Sequence, residues 1–292
     1  MTQILLHINY FEQGQSLDRA CKQARDLGAD GIEFRRKPSE YAGSDLEYLD
    51  EVSRALDKYP LSYVSFGGPG IDLMVSDSRV RERGLDAAEV FYRQAAGRFS
   101  LKIVNAFTGS LINPDKTLPY VEYWHHGSAI ATDTQWRNAI SGFQRMGALA
   151  EELGFRFAFE THGCYLHDTV DAAMRLIDGI DSNQVGLLWD HANLMIFPEQ
   201  ISFDEVIAKA GSKLFYVHLK NWLVSPSQFL AVSSLGGGII NIREQLGKLF
   251  SSGYTGPLCI ESPRSGDREQ FAREDIEYLR MLLTEDCHTP NE

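Results

Sequence analysis

The chain has 292 residues, 43% hydrophobic and 23% charged, ordinary proportions for a globular α/β domain. A formal net charge of −12 repels phosphate backbones and anionic membranes, which argues against a nucleic-acid or membrane partner. No apolar run approaches the roughly 20 residues needed to span a bilayer.

The N-terminus, MTQILLHINYFEQG, lacks the basic region of a secretory signal. Cys21, Cys164, Cys259 and Cys287 are scattered without CxxC spacing. The expectation is a cytoplasmic protein without a disulfide framework.

Short β-branched or aromatic runs alternate with longer amphipathic stretches. ILLHI (Ile4–Ile8) reads as the first strand. Ser16 then caps a helix with apolar positions at Leu17, Ala20, Cys21, Ala24 and Leu27, and Gly28 ends it. GIEF (Gly31–Phe34) is the second strand, followed by a helix over Asp45–Lys58. LSYVSF (Leu61–Phe66) precedes a long charged helix over Ser78–Gly97, and KIVNAF (Lys102–Phe107) is the fourth strand. Thr108 to Asp133 is the longest irregular stretch, of the length usually found in functional lids.

A helix from Thr134 to Gly154 leads to the fifth strand, FRFAFE (Phe155–Glu160). Helix Thr169–Asp178 leads to VGLLWD (Val185–Asp190), and helix Phe203–Ala210 to KLFYVH (Lys213–His218). A loop containing Gly236–Gly238 and a helix over Ile242–Phe250 lead to PLCIE (Pro257–Glu261). Helix Arg268–Leu283 closes the chain. Eight strand–helix units predict a parallel sheet closed into a (β/α)8 TIM barrel of α/β class, one domain over 1–285, with a frayed polar tail over 286–292. An open doubly wound sheet is the alternative, but no GxGxxG follows an early strand.

The last four strands each stop on a metal-ligand residue: Glu160, Asp190, His218 and Glu261. In a parallel barrel all strand C-termini share one face, so these side chains converge. Three carboxylates and an imidazole suit one divalent ion of the Mn, Co, Mg or Zn type. Carboxylates after strands also serve as helix caps, but a ligand-type residue at the end of each of four successive strands favours a metal site over caps alone.

ELGFRFAFETH, VGLLWDHANL, FYVHLKN and GYTGPLCIES, with LGADGIEFR earlier, resemble motifs of the sugar phosphate isomerase/epimerase family, the xylose isomerase-like barrels. The resemblance implies that Glu160, Asp190, His218 and Glu261 are the metal ligands and that Glu160 and Glu261 are also the acid/base pair. Two departures stand out. The family's histidine after the strand-six Asp is here Asn193, with His191 displaced by two residues, and Lys220-Asn221-Trp222 stands where ketohexose epimerases carry Glu and Arg.

Further candidates for substrate contact are His162, Lys220, Arg264, His191 and the lid residues Trp124–His126, with His7, Glu33 and Arg35 at the rim. The expected activity is metal-dependent isomerisation or epimerisation of a keto-sugar or sugar phosphate through an enediolate. The alternative is dehydration of a keto-polyol or keto-cyclohexene carboxylate. An endonuclease IV-like phosphodiesterase needs more histidine ligands and a basic groove, and a silent sugar-binding barrel would not need the ligand set. The partner is then a small keto-sugar or related polyol, with room for a homo-oligomer.

Overall fold

The alternation read from the sequence is realised in a computed structural model that describes residues 2–36, 41–68, 71–224 and 230–286. In chain order come β1 (Ile4–His7), α1 (Leu17–Leu27), β2 (Gly31–Arg35), α2 (Asp45–Lys58), β3 (Tyr63–Gly67), α3 (Ser78–Ala96) and β4 (Ile103–Ala106). Then follow α4 (Asp133–Leu153), β5 (Arg156–Glu160), α5 (Val170–Ile180), β6 (Val185–Asp190), α6 (His191–Leu194), α7 (Phe203–Ala210) and β7 (Leu214–Leu219). The last are β8 (Asn221–Val224), β9 (Leu230–Ser233), α8 (Ile242–Ser251), β10 (Leu258–Ile260) and α9 (Arg268–Asp286).

Local chemistry sets the helix ends. The Ser16 hydroxyl accepts from the Arg19 N–H, and Gly28 closes α1 at φ 77°, a left-handed position favouring glycine. Ser44 with Glu47, Thr132 with Gln135 and Ser202 with Glu205 form reciprocal capping boxes at the starts of α2, α4 and α7.

The sheet order is β3-β2-β1-β10-β7-β6-β5-β4, and every neighbouring pair is parallel. Its end strands, β3 and β4, meet across a seam: a Cβ added to Gly67 would lie 3.1 Å from that of Asn105. The sheet is thus a nearly closed TIM barrel. Leu5, Tyr63, Ile103, Ala158, Leu188, Phe215, Tyr216 and Cys259 form a core of their own within it. A larger core packs the outward strand residues against the helices.

The structure corrects three boundaries. The stretch after β7, expected as a loop, contains an antiparallel hairpin pairing Asn221 with Ser233 through Val224 with Leu230. Its strands alternate weakly and no Asn-Gly or Asp-Gly marks a turn, so the usual hairpin signal is missing. A single helical turn, α6, follows β6 directly because the Asp190 carboxylate accepts from the Asn193 N–H. The last helix runs on to Asp286, past the expected helix end at Leu283; residues 287–292 lie outside the described residues.

Cys21, Cys164 and Cys259 are buried and unpaired, and Cys287 lies outside the described residues. No helix among the described residues is long and apolar enough to cross a membrane.

The register makes a stability prediction. A Cβ on Gly31 would run into the Tyr63 carbonyl oxygen, whereas one on Gly247, inside α8, meets nothing within 4 Å. Gly31→Ala should cost about 1–3 kcal/mol, as overpacking does. Gly247→Ala should stabilise by about 0.5–1 kcal/mol through helix propensity. Equal melting temperatures for both variants and the parent would contradict the close β2–β3 approach.

Candidate functional site

Successive strand residues face opposite sides, so residues two apart share the barrel interior. Two residues beyond Leu5, Tyr63, Ile103, Ala158, Leu188, Tyr216 and Cys259 stand His7, Ser65, Asn105, Glu160, Asp190, His218 and Glu261. Glu33 completes this level on β2, in register with His7 and Ser65. An apolar layer therefore carries a polar one at the C-terminal ends of the strands. All eight are buried except Glu261, which is partly open.

Glu160, Asp190, His218 and Glu261 present ligand atoms that all lie within 4.8 Å of one another. His218 turns Nδ1 toward the carboxylates, 3.2 Å from Glu261 Oε2 and 3.9 Å from Glu160 Oε2. Surrounding groups fix each donor. Glu160 accepts from Asn193 Nδ2 at 3.0 Å and from Asn105 Nδ2 at 2.7 Å, and Glu261 accepts from Asn9 Nδ2 at 3.2 Å. Asp190 Oδ1 caps α6, while Oδ2 faces Lys220. The Thr161 hydroxyl bonds both the N–H and the C=O of Asp190, and His167 bonds the Glu160 carbonyl, which ties down the two strand ends. Burial lowers the His167 pKa to about 3, so it donates as neutral imidazole.

Charge balance explains what this arrangement suits. Burying carboxylates is costly unless positive charge accompanies them. The Lys220 ammonium lies 3.0 Å from Asp190 Oδ2 and 3.1 Å from Glu261 Oε2. Burial opposes its charge, but Asp190, Glu261 and Glu160 outweigh that and raise its pKa. Burial raises the Glu160 pKa. At Glu261 burial acts the same way, but Lys220, His7 and His218 prevail and hold the carboxyl well below the usual range. Three carboxylates against one ammonium leave room for a divalent cation, and oxygen donors with one imidazole fit Mn²⁺, Mg²⁺, Co²⁺ or Zn²⁺.

The other expected residues divide. Lys220 enters the site, as its shared parity with His218 implies. His162 is half-buried beside Glu160, its Nδ1 2.9 Å from the Gly163 carbonyl oxygen and its ring edge-on to Tyr165. His7 and Glu33 join the polar level, 3.8 Å apart. Arg264, expected at a substrate anion, instead donates through Nη1 to both oxygens of Asp275, pairs with Glu274 and stacks on Phe271. Arg35 is bidentate to Glu12. His191 opens α6 and packs edge-on to Trp189 and Phe203, where burial lowers its pKa to about 4.

Trp124 is 37% exposed and donates its indole N–H to His125 Nε2 at 3.1 Å. The loop around it is anchored near β5: Tyr123 abuts Gly163, Ser128 N–H donates to Asp168, and Leu111 N–H donates to the Cys164 carbonyl.

Sequence reasoning missed Asn105 and Asn9, and noted Asn193 only as a departure. Uncharged amides carry no ligand signal. Parity from Ile103 would have placed Asn105 on the polar level.

A model described as xylose isomerase-like TIM barrel matches residues 21–282. A curated relative, the inosose dehydratase of Geobacillus kaustophilus, is 23% identical over 171 residues, 52% of this chain and 54% of the relative, so the chain spans about half its length. A xylose isomerase-like TIM barrel protein from Mycobacterium smegmatis in complex with magnesium superposes with a TM-score of 0.74 at 23% identity, covering 98% of this chain and 97% of that one. An L-ribulose 3-epimerase superposes with a TM-score of 0.77 at 19% identity, covering both chains fully at 100%. At these identities the superpositions establish the fold. The matched family model covers most of the sequence, and the chain belongs to the xylose isomerase-like TIM barrel family.

Proposed function

We propose that the protein is a divalent-metal-dependent isomerase or epimerase of a keto-sugar or sugar phosphate, with Glu160 and Glu261 as its acid/base pair. The observation that carries this reading is the convergence of Glu160, Asp190, His218 and Glu261 within 4.8 Å. Those four residues would hold the cation. Once bound, it would polarise the substrate carbonyl and neutralise charge developing on the oxygen, an effect of several kcal/mol.

The chain's own residues do the rest. Glu160 at the end of β5 and Glu261 just after β10 are separated in the sheet by β6 and β7, so their carboxylates flank the site from two sides. One removes the proton beside the carbonyl, and the C–H electron pair becomes the C=C bond of the enediolate. Return of a proton from the opposite carboxyl inverts the carbon. Asn193 and Asn105 grip both oxygens of Glu160 and fix its angle of attack. Lys220 can donate to a carbonyl or hydroxyl oxygen.

A second reading, dehydration of a keto-polyol, is favoured by the inosose dehydratase relative and by Lys220, an ammonium beside both Asp190 and Glu261. There the same deprotonation is followed by loss of the β-hydroxyl, which leaves as water with a proton from Lys220 or a glutamic acid. Solvent-deuterium exchange across a panel of keto-sugars and inososes separates the two: an epimerase returns deuterated sugar, and a dehydratase releases an unsaturated product.

Two further outcomes are expected. Metal analysis of the purified protein should find about one divalent ion per chain. Asp190→Ala and His218→Ala should each reduce occupancy sharply, and full retention in both would remove the metal assignment. Glu160→Gln and Glu261→Gln keep an oxygen donor but lose the base. Each metal-loaded variant should therefore lose at least about 10²-fold in turnover, the lower end of a general base's contribution. Near-normal turnover in both would refute the two-glutamate mechanism.

A further inference from the structure

Glu33 has no place in the reaction described above, yet it is fully buried at the same level of the barrel. Among the described residues its ion partners are two imidazoles, with no lysine or arginine beside it: Oε2 lies 3.0 Å from His218 Nε2, and Oε1 lies 3.8 Å from His7 Nε2. The fold builds a seat for this carboxylate from the two strands that meet at the barrel seam. Asn105 on β4 donates to Oε1 at 3.2 Å, and Gly67 on β3 leaves the space that a Cβ would take from the same oxygen. Burying a carboxylate without a permanent cation is costly, and a structural role alone would be served by an apolar residue.

We propose that Glu33 is a positioning residue for the metal-ligating imidazole of His218, a proposal that rests on the metal site described above. A neutral imidazole carries one proton and one lone pair, and the partner of one nitrogen decides what the other can do. With a cation held by the four residues, Glu33 would take the proton at Nε2 and leave Nδ1, which faces Glu160 and Glu261, as the ligand atom. The ring cannot turn freely, because Tyr216 meets it edge-on at 5.2 Å and His7 at 6.0 Å. Asn105 extends the effect, since its one amide nitrogen reaches both Glu33 and Glu160. The seat that holds the ligand histidine therefore also holds an acid/base carboxylate.

The test is zinc affinity of metal-free protein, by calorimetry or chelator competition, for the parent, Glu33→Gln and Glu33→Ala. It is combined with ¹⁵N NMR of His218 in the zinc-loaded forms. Glu33→Ala should weaken zinc binding about 10–100-fold, the usual cost of losing such a partner. Glu33→Gln keeps an acceptor oxygen and should lie between parent and Ala; it also serves if the Ala variant does not fold. The parent should show a hydrogen-bonded Nε2 proton with zinc on Nδ1, and this proton signal should be lost in Glu33→Ala. Folded variants with parental affinity and an unchanged His218 spectrum would overturn the proposal. A parent that takes up no zinc would instead contradict the metal site itself, and the proposal with it.

Discussion

Four carboxylates, Glu33, Glu160, Asp190 and Glu261, sit at one level of the barrel, and among the described residues a single ammonium, Lys220, and two imidazoles accompany them. Such a concentration of buried negative charge is unfavourable in isolation, and the surrounding structure is arranged to offset it. Amide groups of Asn9, Asn105 and Asn193 donate to three of the carboxylates, the fourth caps a helical turn by accepting from its backbone N–H, and Lys220 bridges two. The remaining imbalance is what a divalent cation would correct. Below, the apolar layer of Leu5, Ile103, Ala158, Leu188 and their neighbours closes the barrel to water and strengthens every electrostatic term above it.

The period-two alternation of the strands connects sequence to site. It makes each strand's last inward residue fall on the polar level, and the parallel order brings those ends to one face. That is why Glu160, Asp190, His218 and Glu261 were legible without coordinates: each ends an apolar run, and the β-α alternation dictates the topology. Lys220 followed from the same parity, two residues beyond His218. The helices were legible from their amphipathic spacing and, for the first, from the Ser16 cap; the caps at Ser44, Thr132 and Ser202 emerge in the structure.

What the sequence hid is equally physical. His191 and Arg264 are chemically suited to a substrate, but His191 packs against Trp189 and Phe203, and a buried carboxylate on α9, Asp275, claims Arg264. Composition cannot reveal a partner 11 residues away across a turn. Asparagines give no charge signal, so the amide grip on Glu160 appears only when β4, β5 and α6 are assembled. The β8–β9 hairpin escaped because its half-exposed strands bury no regular face. The loop between β4 and α4 was recognisable by length alone; its anchoring through Tyr123, Ser128 and Leu111 to the segment after β5 depends on tertiary contacts.

The central claim is that the polar level is a metal centre whose histidine ligates through Nδ1. Anomalous diffraction from manganese-loaded crystals tests it most directly. The account predicts one strong peak per chain, about 2.0–2.6 Å from oxygens of Glu160, Asp190 and Glu261 and from His218 Nδ1, with Nε2 still on Glu33. A peak on the Nε2 side of His218, or none among the four residues in crystals soaked to saturation, would contradict it.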